Sequence, residues 1–445
     1  MTDATWRIPA DKAIAAILAE RIDAERSGVG IAVGVVDAAG RRTVAHGVSL
    51  RGGDRAVDAD TVFEIGSITK VFTSLLLADM VRRGEAALDD AVSDYLPAGV
   101  RAPERGGRQI TLIDLATHTS GLPRLPGDMP MASRADPYAD YTVAHLHAFL
   151  HRHELTRDIG ARYEYSNLGA GLLGQALAQR AGFDFEALVR DRITGPLGMT
   201  STAMAPSPAM TARSAHGHDR DLTPVADWHL PTLAGAGALR STVSDLLIFA
   251  EAELGLRDSA LAEAMRDQLE PRRPTEADHT QIALGWHITQ RRGAEVVWHN
   301  GGTGGYRAFL GLRFDIGAGV VVLTNASTER GGDDIGFHLL TGSSLAPPPI
   351  VRQAITLDAA ALERCVGRYQ YKPGTVITVT RDGTRLFAQV ADQGAYEIFP
   401  ETPTSFFWQV ADAQVSFDIE GDGPASGLTS HQNGRERSAA RLPES

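Results

Sequence analysis

Three short clusters hold side chains of the right type and spacing for acyl transfer. The first is Phe63-Glu-Ile-Gly-Ser67-Ile-Thr-Lys70-Val-Phe-Thr. An apolar helical pattern begins at Ser67, and residues three apart share one helical face, so the Lys70 amine can reach the Ser67 hydroxyl. The helix N-terminus adds positive potential where an alkoxide or oxyanion develops. To act as a base at neutral pH, Lys70 must have its pKa drawn from about 10.4 to about 7, roughly 4.6 kcal/mol of differential interaction. Burial beside an apolar helix face is the means available. Taken alone, the pair also reads as a serine cap followed by a solvated lysine.

The second cluster is Tyr163-Glu-Tyr165-Ser-Asn167-Leu-Gly. Residues two apart in an extended or turn segment point to the same side, which places Tyr165 with Asn167. A tyrosine beside a cationic lysine can be partly phenolate and serve as a base, while an asparagine donates to a substrate carbonyl and orients the lysine. The third is Val296-Val-Trp-His299-Asn300-Gly301-Gly302-Thr-Gly-Gly-Tyr306. A strand ending in His and Gly lets a substrate lie along its edge. The N–H groups of Ser67 and Gly302 are the expected oxyanion donors, each typically worth about 3–4 kcal/mol. In isolation these two clusters read as an ordinary turn and as a glycine-rich loop beside a half-buried histidine.

Ser-x-x-Lys, Ser-Asp-Asn and Lys-Thr-Gly in that order mark serine β-lactamases and penicillin-binding proteins. The sequence resembles the branch of this superfamily with Tyr-x-Asn second and His-x-Gly third: class C β-lactamases, family VIII esterases and D-aminopeptidases. Order and spacing fit, and so do Leu115-Ala-Thr-His-Thr-Ser-Gly-Leu-Pro123, Gly195-Pro-Leu-Gly-Met199 and Gly235-Ala-Gly-Ala-Leu-Arg-Ser-Thr-Val-Ser-Asp245. The resemblance runs from residue 10 to 330. It implies Ser67 as nucleophile, Lys70 and Tyr165 as its base system, Asn167 as a ligand of the substrate amide, and Ser67 and Gly302 as the oxyanion hole. Asn300 and Gly301 fall in the substrate-binding strand. His299 stands where β-lactamases keep a lysine; a histidine is only partly charged at neutral pH, so its grip on a substrate carboxylate is weaker. Ester, thioester or amide donors of D-configured peptides gain ground over β-lactams. A true β-lactamase and a non-catalytic binding protein are the remaining alternatives on this fold.

The elements that must position these clusters follow from periodicity. Ala10–Arg26 reads as a helix, Gly30–Asp37 and Arg42–His46 as a hairpin, and Ser67–Arg83 as an apolar helix. The middle, roughly 100–290, mixes helices with Gly/Pro loops, and strands return at Glu295–Trp298, Tyr306–Phe314 and Gly319–Thr324. The fold class is α/β (α+β): an antiparallel sheet drawn from both ends of the first domain, with a helical insertion. Leu345-Ala-Pro-Pro-Pro-Ile350 is a stiff linker between domains at 1–345 and 352–445. Beyond it, six short strand-like runs (376–380, 386–390, 396–399, 405–409, 415–419, 427–431) at regular spacing indicate a small β-barrel. Val366-Gly-Arg-Tyr and His431-Gln-Asn-Gly-Arg435 resemble the lipocalin-like barrel of penicillin-binding-protein-type thioesterases. That resemblance implies a second function, macrocyclisation of non-ribosomal peptides from a thiol- or carrier-linked donor. Arg435, Arg437 or Arg441 would then bind the carboxylate of the nucleophilic residue.

Composition narrows the rest. The net charge of −12 and the lack of a basic tract make the chain a poor candidate for phosphate-backbone binding, so no nucleic-acid partner is expected. Lysine occurs only at 12, 70 and 372. Cys365 is the single cysteine, which rules out an intrachain disulfide. No metal or organic cofactor is implied. The N-terminus lacks an apolar targeting segment and no window is apolar enough to span a bilayer, so the expected location is cytoplasmic. Gly169-Ala-Gly171-Leu-Leu-Gly174 lacks the preceding strand of a dinucleotide site and reads as helix packing. His145, His147, His151 and His153 read as a solvated helix face, and His118 as a structural residue.

Overall fold

The computed structural model describes residues 6–130, 135–348, 352–371, 374–390, 394–408, 413–432 and 435–443, the Arg435 side chain excepted. The end of the expected linker (349–350), Gln409 and Asn433–Gly434 lie outside the described residues. The chain divides into two compact units, Met1–Pro348 and Pro349–Ser445.

In the first unit a helix at Asp11–Ala19 precedes the hairpin β1 (Gly30–Asp37) and β2 (Gly40–Gly47). Three short strands follow: β3 (Phe63–Glu64), and β4 (Glu104–Arg105) with its partner β5 (Arg108–Gln109). After a helical stretch comes β6 (Arg240–Ser241), which pairs with β3. Then β7 (Arg273–Pro274), β8 (Thr280–Ile282), β9 (His287–Arg291), β10 (Ala294–Gly302), β11 (Arg307–Arg313) and β12 (Ala318–Thr324) complete an eight-stranded antiparallel sheet. Its order is β2-β1-β12-β11-β10-β9-β8-β7, so strands from both ends of the unit meet at β1 and β12. The register there runs from Ile31 opposite Thr324 to Val36 opposite Gly319. Strands β7 to β9 extend the sheet inside what the sequence presents as mixed helix and loop.

The central strands β1, β12 and β11 are buried on both faces, and their side chains alternate between two cores. Ile31, Val33 and Val35 face one core with the Asp11–Ala19 and Asp333–Thr341 helices. Ala32, Val36, Leu310 and Leu323 face the other, with the helical insertion. Each fully buried Val, Leu, Ile or Phe contributes roughly 1.5–3 kcal/mol. At the centre of that second core, a short 3-10 turn at Gly66–Ile68 runs into the helix Thr69–Arg82, whose residues are all buried from Thr69 to Met80. A helix apolar nearly all round is an interior helix.

The second unit is a closed eight-stranded antiparallel barrel: β13 (Gly367–Tyr371), β14 (Val376–Asp382), β15 (Arg385–Val390), β16 (Tyr396–Pro400), β17 (Ser405–Trp408), β18 (Ala413–Asp418), β19 (Gly427–Gln432) and β20 (Arg435–Arg441). The two strands that close it, β13 and β20, are additional to the six that alternation marks out. The β20 run Arg-Glu-Arg-Ser-Ala-Ala-Arg carries almost no large apolar residue, so its pattern is silent. Tyr369, Ile377, Val379, Ile398, Phe406, Val415 and Leu428 fill the interior, and Cys365 is buried with them.

Candidate active site

The site is built around Ser67 and Lys70 at the start of the buried helix. The Lys70 Nζ lies 3.0 Å from Ser67 Oγ, 2.8 Å from Asn167 Oδ1 and 2.6 Å from the Ala236 carbonyl oxygen. Two of these three partners can only accept, and the third is a hydroxyl that can donate. A neutral amine, with two hydrogens and one lone pair, satisfies that set completely. Burial drives the Lys70 pKa well below its ordinary value, and repulsion from the Arg124 guanidinium adds to this. The helical cluster therefore provides the lowered lysine that the sequence demanded.

Tyr165 differs from its expectation. Burial pushes its phenol up and away from phenolate, while its hydrogen bond with Ser67 and the nearby Arg124 charge pull it partly back. Its ring lies 4.8 Å from Lys70 Nζ and 4.5 Å from the His118 ring. A loop of the Leu115–Pro123 phrase cradles this segment. His118 Nδ1 accepts from the Ser166 N–H, Ser166 Oγ donates to Pro123 O and caps the following helix at Gly169, and Asn167 N–H donates to Arg124 O. Asn167 is thereby fixed at the first turn of the helix Asn167–Ala181, and its Nδ2 donates to the Tyr138 hydroxyl at 3.2 Å. Gly171 and Gly174 let that helix close on Leu233 and Gly235, which sets the Ala236 carbonyl against Lys70.

The third cluster forms β10. Gly66 has φ +50°, and a Cβ there would sit 2.7 Å from Gly302 N; a Cβ on Gly301 would fall on the Ile65 carbonyl oxygen and 3.2 Å from Ser67 N. Two backbones thus touch directly, placing the Gly301–Gly302 segment alongside the Ile65–Ser67 turn. Asn300 is tied by its Nδ2 to Asp333 Oδ2 at 2.6 Å. His299 is fully buried; its Nδ1 bonds Asn300 O at 2.6 Å and its ring lies 5.2 Å from His287. Burial, with the neighbouring His287 and Lys70, lowers its pKa well below the usual histidine range. Partial charge at neutral pH, expected of a histidine in this motif, is suppressed.

Ser67, Lys70, Tyr165, Asn167, His299, Asn300, Gly301 and Gly302 therefore fall together. Arg435, Arg437 and Arg441 belong to β20 of the second unit, where Arg437 lies over the Tyr371 ring and Arg441 over Tyr369. Arg124, Tyr138 and His287 also join this cluster through tertiary packing, and no sequence motif marks them beyond the Leu115–Pro123 phrase that ends just before Arg124. Among the described residues no group of three or more His, Cys, Asp or Glu is arranged to hold a metal, and no helix is long and apolar enough to cross a membrane.

The sequence model described as Beta-lactamase matches residues 12–342. The chain belongs to the Beta-lactamase family. It is a serine hydrolase of the β-lactamase and penicillin-binding-protein kind, and residues 351–440 match a second family described as a Domain of unknown function (DUF3471). It is 31% identical over 342 residues to the D-alanyl-D-alanine-carboxypeptidase/endopeptidase AmpH of Escherichia coli K12, covering 72% of this chain and 86% of that protein. Penicillin-binding protein 4* of Bacillus subtilis is 25% identical over 417 residues, covering 87% of this chain and 89% of that one. Within the family, the solved β-lactamase/D-alanine carboxypeptidase of Yersinia pestis, in complex with citrate, superposes with a TM-score of 0.66 at 26% identity, over 75% of this chain and 98% of the other.

Proposed function

We propose that the protein is an acyl-enzyme hydrolase of D-configured peptide donors, with Ser67 as nucleophile and Lys70 as the base that activates it. The observation that carries this reading is the Lys70 amine, buried and held by two carbonyl oxygens so that its lone pair faces Ser67 Oγ. Similarity to D-alanyl-D-alanine-carboxypeptidase/endopeptidase AmpH supports the substrate class.

Lys70 takes the Ser67 proton as Oγ attacks the acyl carbonyl. The oxyanion is held by the N–H groups of Ser67 and Gly302. Tyr165, kept protonated by burial and hydrogen-bonded to Ser67, gives its proton to the departing amine, alcohol or thiol as the acyl–heteroatom bond breaks. The Lys70 ammonium returns a proton to Tyr165, which leaves a neutral lysine and an acyl-Ser67. Water then enters where the leaving group stood, and the same relay runs in reverse. Asn167 fixes Lys70 through its Oδ1 and meets the substrate amide.

The test is a product-mass assay on peptides and peptide thioesters ending in D-Ala or L-Ala, beside labelling by a fluorophosphonate. Linear acid from the D-epimer, with both turnover and labelling lost in Ser67→Ala, is expected. Equal cleavage of both epimers would replace the reading by a general esterase. A product lighter than the acid by one water would indicate cyclisation, and turnover surviving in Ser67→Ala would remove Ser67 as nucleophile.

A further inference from the structure

The cationic groups around Ser67 are unequally available. Lys70 is buried with its hydrogens used, and His299 is buried, which holds its pKa well below the usual histidine range. Arg307 lies beside Gly302, but its guanidinium donates to the backbone carbonyls of Thr303, Tyr306 and Ser327. Arg124 is different. Its side chain is exposed, its Cζ sits 5.1 Å from the centre of the Tyr165 ring, and among the described residues no carboxylate or carbonyl pairs with the guanidinium. Its backbone is held firmly, because its carbonyl oxygen accepts from both Asn167 N–H and Leu168 N–H at 3.0 and 3.2 Å.

We infer that Arg124 is the specificity-determining group of this site and receives a carboxylate carried by the leaving group of the acyl donor. This deepens the hydrolase reading and rests on it. The leaving group departs toward the proton donor, Tyr165, so a charge over the Tyr165 ring is on the leaving-group side of Ser67. An arginine fork matches a carboxylate in two parallel hydrogen bonds, and stacking on the ring restricts the fork beforehand. The arrangement supplies from the Leu115–Pro123 side the charge that the third motif loses by burying a histidine.

Pairing also has a consequence for the chemistry. The Arg124 charge opposes formation of the Lys70 ammonium, and a substrate carboxylate that neutralises it relieves that opposition at the moment Lys70 takes the Ser67 proton. Arg124 thereby links recognition to activation as a positioning charge, without touching the reacting atoms.

The experiment compares N-acetyl-D-Ala-D-Ala with its C-terminal amide. Binding of each to Ser67→Ala and turnover of each by wild-type protein are measured, then repeated in Arg124→Gln and Arg124→Lys backgrounds. The carboxylate should be preferred at least about tenfold in both readouts, as befits charged hydrogen bonds. That ratio should fall to near one in Arg124→Gln and recover in part in Arg124→Lys. An unchanged ratio in Arg124→Gln, no preference in the wild type, or binding of neither probe would overturn the inference. Fluorophosphonate labelling of Ser67 in the same samples separates these outcomes from failure of the hydrolase reading, which loss of labelling in the wild type would signal.

Discussion

The proposed mechanism needs Lys70 without its proton when the substrate arrives, and burial favours that state. The sign of the pH dependence follows. Because the Lys70 pKa is lowered by burial and by Arg124, activity is absent where the amine is protonated and rises as pH climbs through that lowered value. The acylation rate on a neutral ester should therefore climb along one ionisation well below the ordinary lysine range and then stay level. A profile that climbs only above pH 10 would contradict the assignment. Lys70→Met should cost about 10²- to 10⁴-fold in acylation, the usual worth of a general base. That Ser67, Lys70, Tyr165 and Asn167 lie together was legible in the chain because three motifs in the right order constrain one another. The states of Tyr165 and His299 were not, since a titration value reports surroundings from distant segments. Arg124 was invisible for the same reason: its role comes from lying over a ring some forty residues away in sequence.

At the scale of elements, the decisive contact is backbone against backbone, where β10 meets the turn before the buried helix. Gly301→Ala should be more disruptive than an ordinary glycine change, since its Cβ would land on the Ile65 carbonyl oxygen. The expected cost is at least the ~1–3 kcal/mol of core overpacking, with acylation lost as β10 and the Ile65–Ser67 turn, which carry the proposed oxyanion donors, separate. Gly302→Ala meets only the Arg307 side chain, nearest atom 3.0 Å, and should keep most of the stability. Urea midpoints of both variants, alongside Ser67 labelling, check the pair. Strands that are continuous runs of Val, Ile and small residues, such as β1 and β12, were readable at once. The β9 run His-Ile-Thr-Gln-Arg and the β20 run were not, because each holds few or no large apolar residues and is fixed by the partners on either side rather than by its own apolar content.

For the whole molecule, the two units have separate cores. Phe406→Ala, emptying a fully buried position in the barrel, should destabilise the second unit by about 3–5 kcal/mol. Calorimetry should show the barrel transition shifted down while fluorophosphonate labelling of Ser67 persists; loss of both together would mean that the cores do not unfold separately. One last property follows from the sheet order, in which β1 pairs with β12 and the proposed oxyanion donors, Ser67 and Gly302, come from segments more than two hundred residues apart. A growing chain on the ribosome has its nucleophile long before it has the second half of the pocket. Until β10 emerges and docks on Gly66, the serine is present but chemically idle. The site should thus stay silent until β10 has been made and has docked, and covalent capture of Ser67 in stalled nascent chains would time the moment at which the fold closes.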